Sequence, residues 1–373
     1  MPLTQRQWLK SSTRRRGDGP VEPGSLFLRN VLSLFLLGVV FSLPIAGCGK
    51  EEASSPPISI SGHTMGTRYN IKIPRLPEGI SPEGMKRDID AALERVNEQM
   101  SAYLKTSEIS RFNRSTGEDW FSVSPETAQV VTAALKVSKE SDGAFDVTVG
   151  PLIRLWRFGP DKQEKMVPGE AEIRKTMASI GYHKIKVRRK PPALGKGHAD
   201  IQINLSAIAK GFGVDQIAGV LQRAGVTDYL VEIGGELRTR GSKADGRAWT
   251  IGIETPTDYK RSIQETIHLG DRAMATSGDY RNFFKKDGKR YSHTIDPTTG
   301  RPVEHQLASV SMIADNCMEA DAWATALMVL GPDRGYSLAV KKEFAVLFLI
   351  RTDDGFMRRA TPEFNALVQD RKD

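Results

Sequence analysis

Apolar and polar residues alternate through "TRYNIKI", from Thr67 to Ile71 and on, which predicts a strand. The period then changes. Met85, Ile89, Leu93, Val96 and Met100 fall on one stripe at helical spacing, after a start signal of Ser81, Pro82 and Glu83. Ser124-Pro125-Glu126 repeats that signal for a second helix expected to stop near Gly143. A third is predicted from about Glu170 to Ile180, closed by Gly181. Beyond Asp200 the chain turns strand-rich: "DIQIN", "DYLVEI", "ELRTRG", "WTIGIE", "ETIHL", "YSHTI", "ASVSMIA" and "FAVLFLI". A helix from about Ser206 interrupts that series, and "MEADAWATALMVLG", Met318 to Gly331, reads as another. Strands joined by hairpin-like links, with helices between them, argue α+β and not a doubly wound α/β sheet. No internal repeat, low-complexity tract or interdomain linker follows Pro57.

The segment before that domain reads as an address. A basic stretch, "KSSTRRRGDG", precedes the apolar run Val31 to Leu43, which is too short for an ordinary membrane span. "IAGC", Ile45 to Cys48, looks like a bacterial lipobox and implies cleavage before Cys48 and lipidation of its sulfur. A plain signal peptide with a chance cysteine is the bland alternative. The basic stretch is long for a leader, so the start codon is expected downstream of Met1. "GKEEASSPP" is a polar linker. The expected divisions are a leader over 1–47, a lipidated Cys48 with linker over 48–57, and one compact unit over 58–373. Such a protein would sit on a bacterial membrane facing the periplasm or cell exterior.

Composition narrows the chemistry. The chain has 373 residues, 39% hydrophobic and 26% charged, an ordinary globular balance. Half of its net charge of +8 belongs to the leader. The one later basic run, "KVRRK" (Lys186 to Lys190), reads as a solvated strand end and not a nucleic-acid surface. Of the two cysteines, Cys48 is assigned to the anchor and Cys317 reads as a small buried residue. That excludes thiolate clusters and an internal disulfide. The six histidines (His63, His183, His198, His268, His293, His305) form no helical pair for zinc. No G-x-S-x-G elbow or P-loop is present, and "KGFGVDQIAG" lacks the third glycine of a dinucleotide fingerprint.

What remains is polar chemistry beside glycines. Gly66 precedes a strand in "HTMGTRY". "GAFDVTVGPL" places Asp146 and Thr148 in a β-rich run. "INLSAIAKGFG" offers Ser206 as an N-cap with Lys210 one turn into the helix. "EIGGE", Glu232 to Glu236, is a bend between strands. Ser277, Asp279, Arg281, His293 and Asp296 fall on loops or strand ends. Exposed glycine backbone, a lysine and a helix N-terminus together suit a pyrophosphate. Asp321 and Thr325 lie one turn apart on a helix face. They are hard oxygen ligands suited to Mg²⁺. Equally, Asp321 could serve the helix dipole and Thr325 could bond back to a carbonyl.

These motifs, in order along nearly all of the chain after the linker, resemble the ApbE family. The match includes "HTMGTRY", "MSAYLKTSEISRFN", "DGAFDVTVGPL", "INLSAIAKGFGVD", "VEIGGELRTRG", "ATSGDYRNFF", "HTIDPTTGRP" and "EADAWATALMVLG". The resemblance implies an ApbE-like fold, with a mixed sheet and helices in one catalytic unit around a deep flavin pocket. It also implies an activity: Mg²⁺-dependent transfer of FMN from FAD to a Thr or Ser hydroxyl of a partner flavoprotein, releasing AMP. Acceptors would be flavoprotein subunits of membrane redox complexes. The Mg²⁺ ligands would be Asp321, Thr325 and the carbonyl of Ala207. At Ala324, where some relatives have Asp, only the carbonyl could bind. Met65, Tyr103, Ala144, Phe145, Asp146, Asn204, Lys210 and Ile295 would line the FAD pocket. Asn204 stands where Asp is frequent and cannot act as a base. His293 is the candidate base, with Asp279 as an alternative or as a residue orienting the acceptor. Hydrolysis of FAD to FMN and AMP, or a flavin-binding lipoprotein without chemistry, remain open alternatives. A solute-binding lipoprotein would need two similar lobes, which the pattern lacks.

Overall fold

The structure is a computed structural model that describes residues 56–116, 119–159, 164–257 and 261–369. The expected leader, Cys48 and most of the linker lie outside the described residues. The described chain opens with a hairpin of β1 (Ile58–Thr64) and β2 (Thr67–Ile73). It continues through α1 (Pro82–Met100), α2 (Glu108–Arg114), a two-residue β3 (Phe121–Ser122) and α3 (Pro125–Glu140). The short helices α4 (Gly150–Leu155) and α5 (Glu170–Met177) precede a hairpin of β4 (Ile185–Arg189) and β5 (Pro192–Lys196). Helix α6 (Ala209–Arg223) leads into β6 (Tyr229–Ile233) and β7 (Glu236–Arg240). Then come β8 (Thr250–Glu254), β9 (Ile263–His268), β10 (Ala273–Gly278), β11 (Phe283–Lys286) and β12 (Lys289–Ser292). The pair β13 (Ile295–Asp296) and β14 (Arg301–Pro302) is followed by β15 (Leu307–Ala314) and α7 (Cys317–Lys341). The chain closes with β16 (Ala345–Thr352), β17 (Gly355–Ala360) and α8 (Pro362–Gln369).

Eight strands form the central sheet in the order β1-β2-β6-β7-β10-β15-β16-β17. Each neighbouring pair is antiparallel, so the α+β class holds, while the sheet expected to be mixed is antiparallel throughout. Val310, Met312, Val346, Phe348 and Ile350 point into the core beneath α3 and α7. Their neighbours Ile313, Ala345, Leu347 and Leu349 point the other way, against Ile251, Ile253 and Phe364 of β8 and α8. Cover on both faces explains why "ASVSMIA" and "FAVLFLI" read as continuous apolar runs and not as alternation.

The two helix starts at Ser81 and Ser124 are real N-caps, accepting from Gly84 N–H at 3.0 Å and Thr127 N–H at 3.2 Å. Other expectations change. "DIQIN" joins no sheet among the described residues. The side-chain amide of Asn113 takes both backbone groups of Ile203, at 2.7 and 2.8 Å, in place of a partner strand. "GAFDVTVGPL" is a turn leading into α4, because Asp146 Oδ1 accepts from Thr148 N–H at 2.7 Å and from its hydroxyl at 2.6 Å. Ser206 caps nothing: its N–H donates to Asn204 Oδ1 at 2.9 Å, and α6 starts only at Ala209. The "YSHTI" strand is broken at His293 and Thr294. Helix α5 ends three residues before Ile180. Helix α7 runs past Gly331 to Lys341 through a bend, where Gly331 has φ +80° and Pro332 follows.

Candidate active site

Helices α6 and α7 touch at Gly211. A Cβ there would lie 2.2 Å from the Cys317 carbonyl oxygen and 2.9 Å from Asp321 Cβ. Only glycine permits that approach, and the approach brings Gly211 N–H to Asp321 Oδ2 at 3.0 Å. A regular first turn would give this N–H to the carbonyl of Ala207. Residue 207 lines a cavity of about 570 Å³ under which the two helices meet.

The cavity has a charged end. Lys210 Nζ lies 2.7 Å from Glu236 Oε1 and 3.6 Å from Asp321 Oδ1. Glu236 and Asp321 are each only 3% exposed. Thr325 Oγ1 is 3.0 Å from Ser277 Oγ on β10. Other contacts show what holds the α7 entrance. Asn316 Oδ1 caps α7 by accepting from Glu319 N–H at 2.9 Å. Asp215 accepts from the Cys317 and Met318 N–H groups at 3.1 and 2.9 Å. The helix dipole is therefore served by other residues, and Asp321 and Thr325 face the cavity. Thr325 pairs with a hydroxyl across the cavity wall and not with a carbonyl of its own helix.

Burial pulls the Lys210 ammonium down, but Asp321 and Glu236 outweigh it and hold its pKa above the ordinary lysine range. Burial, reinforced by Asp321 and opposed by Lys210, pushes Glu236 up to about 7. Glu236 Oε2 is buried without a hydrogen-bond partner among the described residues. Once ionised, two carboxylates face a single ammonium. Asp321, the Thr325 hydroxyl and the Ala207 backbone bring oxygen atoms to one cavity wall, a donor type suited to a hard divalent cation. No group of three His, Cys, Asp or Glu residues capable of holding a metal occurs among the described residues.

The opposite walls are apolar and hydrogen-bonding by turns. Ala144, Phe145, Asp146, Asn204, Lys210 and Ile295, six of the expected flavin-pocket residues, line the cavity. Asp146 is fixed by the Thr148 bonds and by Tyr182 N–H at 2.8 Å. Its pKa is raised because burial outweighs those bonds. His293 also lines the cavity, and its Nδ1 lies 3.0 Å from the Asn282 carbonyl oxygen. A carbonyl only accepts, so Nδ1 carries the proton and Nε2 the lone pair. Burial holds its pKa below the usual histidine value.

Four expected site residues do not line the cavity. Asp279 is buried between two arginines, 2.9 Å from Arg351 Nη1 and 3.6 Å from Arg290 Nη1. It ties the end of β10 to β16. Ala324 is fully buried within α7 and does not line the cavity. Met65 packs its Cε over Gly213, and Tyr103 is 58% exposed on the loop after α1. Glu236, read in the sequence only as the end of a bend, also lines the cavity, as does Ser277. The signal for Glu236 was a charged residue opening a strand directly before the buried Leu237.

The chain's similarities agree with this geometry. The profile of the ApbE family matches residues 65–348. A FAD:protein FMN transferase from Vibrio cholerae serotype O1 is 44% identical over 334 residues, 90% of this chain and 98% of that one. One from Haemophilus influenzae is 40% identical over 341 residues, covering 90% and 97%. Among solved structures, the flavin transferase ApbE from Vibrio cholerae superposes with a TM-score of 0.78 at 45% identity, covering 83% of this chain and 99% of that one. The apo form of the Pseudomonas stutzeri flavinyl transferase ApbE gives 0.77 at 37% identity, covering 84% and 96%.

Proposed function

The chain belongs to the ApbE family, and we propose that it transfers FMN from FAD to a hydroxyl of a partner protein in the cavity lined by Lys210, Asp321 and Thr325. The observation that carries this reading is the cluster of Lys210, Asp321 and Thr325 at one end of a cavity large enough for part of a dinucleotide. A pyrophosphate is doubly anionic and repels a nucleophile. Lys210 supplies one fixed positive charge next to the N-terminus of α6, where anions are favoured. Asp321, Thr325 and the Ala207 carbonyl would hold Mg²⁺, which neutralises phosphate charge and polarises phosphorus when bound. The remaining Asp321 bond, from Gly211 N–H, keeps the carboxylate oriented without a further cation.

The acceptor is read as a Thr or Ser. Its oxygen attacks the phosphorus on the FMN side, the P–O–P bond breaks and AMP leaves. The proton lost by the acceptor goes to His293 Nε2, whose lone pair is kept by the Nδ1 bond to Asn282. Asn204 lines the cavity as a hydrogen-bonding group, with its Oδ1 already taken by Ser206 N–H. Tyr103 and Met65 are proposed to meet the flavin or adenine where the ligand projects beyond the cavity. Lipidation of Cys48 would hold the domain on a membrane, facing the periplasm or cell exterior, within reach of flavoprotein subunits of membrane redox complexes.

The test is product analysis of the full chain in detergent, incubated with FAD with and without Mg²⁺. Mg²⁺-dependent AMP release that requires a Thr-bearing acceptor supports transfer. AMP with free FMN, independent of acceptor, supports hydrolysis instead. FAD recovered intact in every condition supports a flavin-binding protein.

A further inference from the structure

Glu236 has no step in the chemistry above, yet its carboxylate is the nearer partner of Lys210, at 2.7 Å against 3.6 Å for Asp321. The fold fixes it there. Gly234 and Gly235, with φ of +61° and +110°, make the tight bend that turns β6 into β7. Glu232 Oε1 pins the bend by accepting from Gly235 N–H at 2.7 Å. Glu236 then pairs in register with Ile233, and Leu237 beside it faces the opposite core. Strand parity therefore turns Glu236 toward α6. Burying a carboxylate there is unfavourable unless it meets a positive charge, and Lys210 is that charge.

The consequence falls on Asp321. Its Oδ2 is engaged by Gly211 N–H, which leaves Oδ1 as the oxygen open to a cation. Oδ1 is also the atom that Lys210 approaches. Without Glu236, the carboxylate left to the ammonium in this cluster would be Asp321, and the 3.6 Å gap would close on Oδ1. We infer that Glu236 is a positioning residue that draws Lys210 away from Asp321 Oδ1 and so keeps that oxygen available to Mg²⁺. This rests on the Mg²⁺ reading of the preceding section.

The experiment is isothermal titration of Mg²⁺ into the full chain in detergent, without FAD, for the wild type and for E236Q, K210M, D321A and the double variant E236Q/K210M. Thermal melting of each variant checks folding. E236Q keeps the shape of the side chain and loses its charge. It is expected to weaken Mg²⁺ binding roughly tenfold or more, the order for one ammonium brought into contact at protein dielectric. K210M should bind at least as tightly as the wild type. In the K210M background, E236Q should have no further effect, because Glu236 acts through Lys210. Should E236Q fail to fold, E236D carries the test, since the shorter arm cannot hold Nζ at 2.7 Å and the same weakening is expected.

Unchanged Mg²⁺ binding by E236Q overturns the inference. So does an equal loss in both backgrounds, which would make Glu236 a direct electrostatic partner of the cation. If the wild type takes up no Mg²⁺, or D321A takes it up equally well, the metal reading itself fails. Wild-type binding that is lost in D321A and unchanged in E236Q removes only the role of Glu236.

Discussion

Gly211 N–H donates to Asp321 Oδ2 at 3.0 Å, across a helix contact so close that a single methyl group at position 211 would strike the Cys317 carbonyl. One glycine thus sets both the packing of α6 on α7 and the orientation of the carboxylate that faces the cavity. The predictions that follow start from that joint.

Gly211→Ala is expected to cost about 1–3 kcal/mol of stability, the usual range for overpacking a tight contact. Displacement of Asp321 should also lower transfer at temperatures where the variant stays folded. Chemical denaturation measures the first effect and AMP release below the melting transition the second. An Ala variant with wild-type stability would mean that the helices do not meet as described.

Asp321→Ala should lower Mg²⁺-dependent AMP release by about 100-fold or more, since a metal at phosphoryl oxygens contributes several kcal/mol and each 1.36 kcal/mol is tenfold. Initial rates over a range of Mg²⁺ concentrations check this. Retained activity at saturating Mg²⁺ would place the cation elsewhere.

Much of this site was legible in the chain, and the physical reasons for the rest are specific. Asp321 and Thr325 were readable because helical spacing puts them on one face whatever surrounds them. The α+β class was readable because hairpin bends such as Gly234-Gly235 punctuate alternating strands. The Asn113 clamp on Ile203 was not readable, because a side-chain amide ninety residues away replaces a strand partner. Asp279 looked like chemistry because it follows Gly278 at a polar strand end. Its fate depends on Arg351, a residue on β16 that no local pattern connects to it. Glu236 is the converse case: it read as part of a turn, and only the meeting of β7 with α6 shows what its charge faces.

The pH dependence follows from His293. Its folded-state pKa lies below the ordinary histidine value of 6.5, so the neutral base persists at and somewhat below that pH. Transfer should therefore hold near neutrality and fall only as pH drops below about 6.5. The same shift makes the fold lose stability as pH falls below the unfolded value and on through the folded one, because the unfolded chain then binds more protons. His293→Ala should lower the rate roughly 100-fold or more and flatten the acid limb. A variant that keeps both its rate and its acid limb assigns the proton to another group.

Tyr103 lies on the surface, 58% exposed, so its removal should leave stability within about 0.5 kcal/mol of wild type. If its ring covers the ligand, Tyr103→Ala should weaken FAD binding by about 5-fold, as expected for one stacked pair of about 1 kcal/mol. Quenching of flavin fluorescence measures the affinity. Unchanged binding would remove Tyr103 from the ligand's surroundings.

If Cys48 carries the proposed lipid, Cys48→Ala should release the protein from the membrane fraction without changing its turnover in detergent. Fractionation of cells and the mass of the mature N-terminus check this. A variant that stays membrane-bound would contradict the lipid anchor.

The most direct measurement is the intact mass of a Thr-bearing acceptor domain after incubation with the full chain, FAD and Mg²⁺, alongside quantified AMP. A mass gain of one FMN per acceptor, matched by one AMP and lost in Asp321→Ala, is the expected result. AMP without any gain in acceptor mass, or a gain that survives in Asp321→Ala, would contradict transfer at this site.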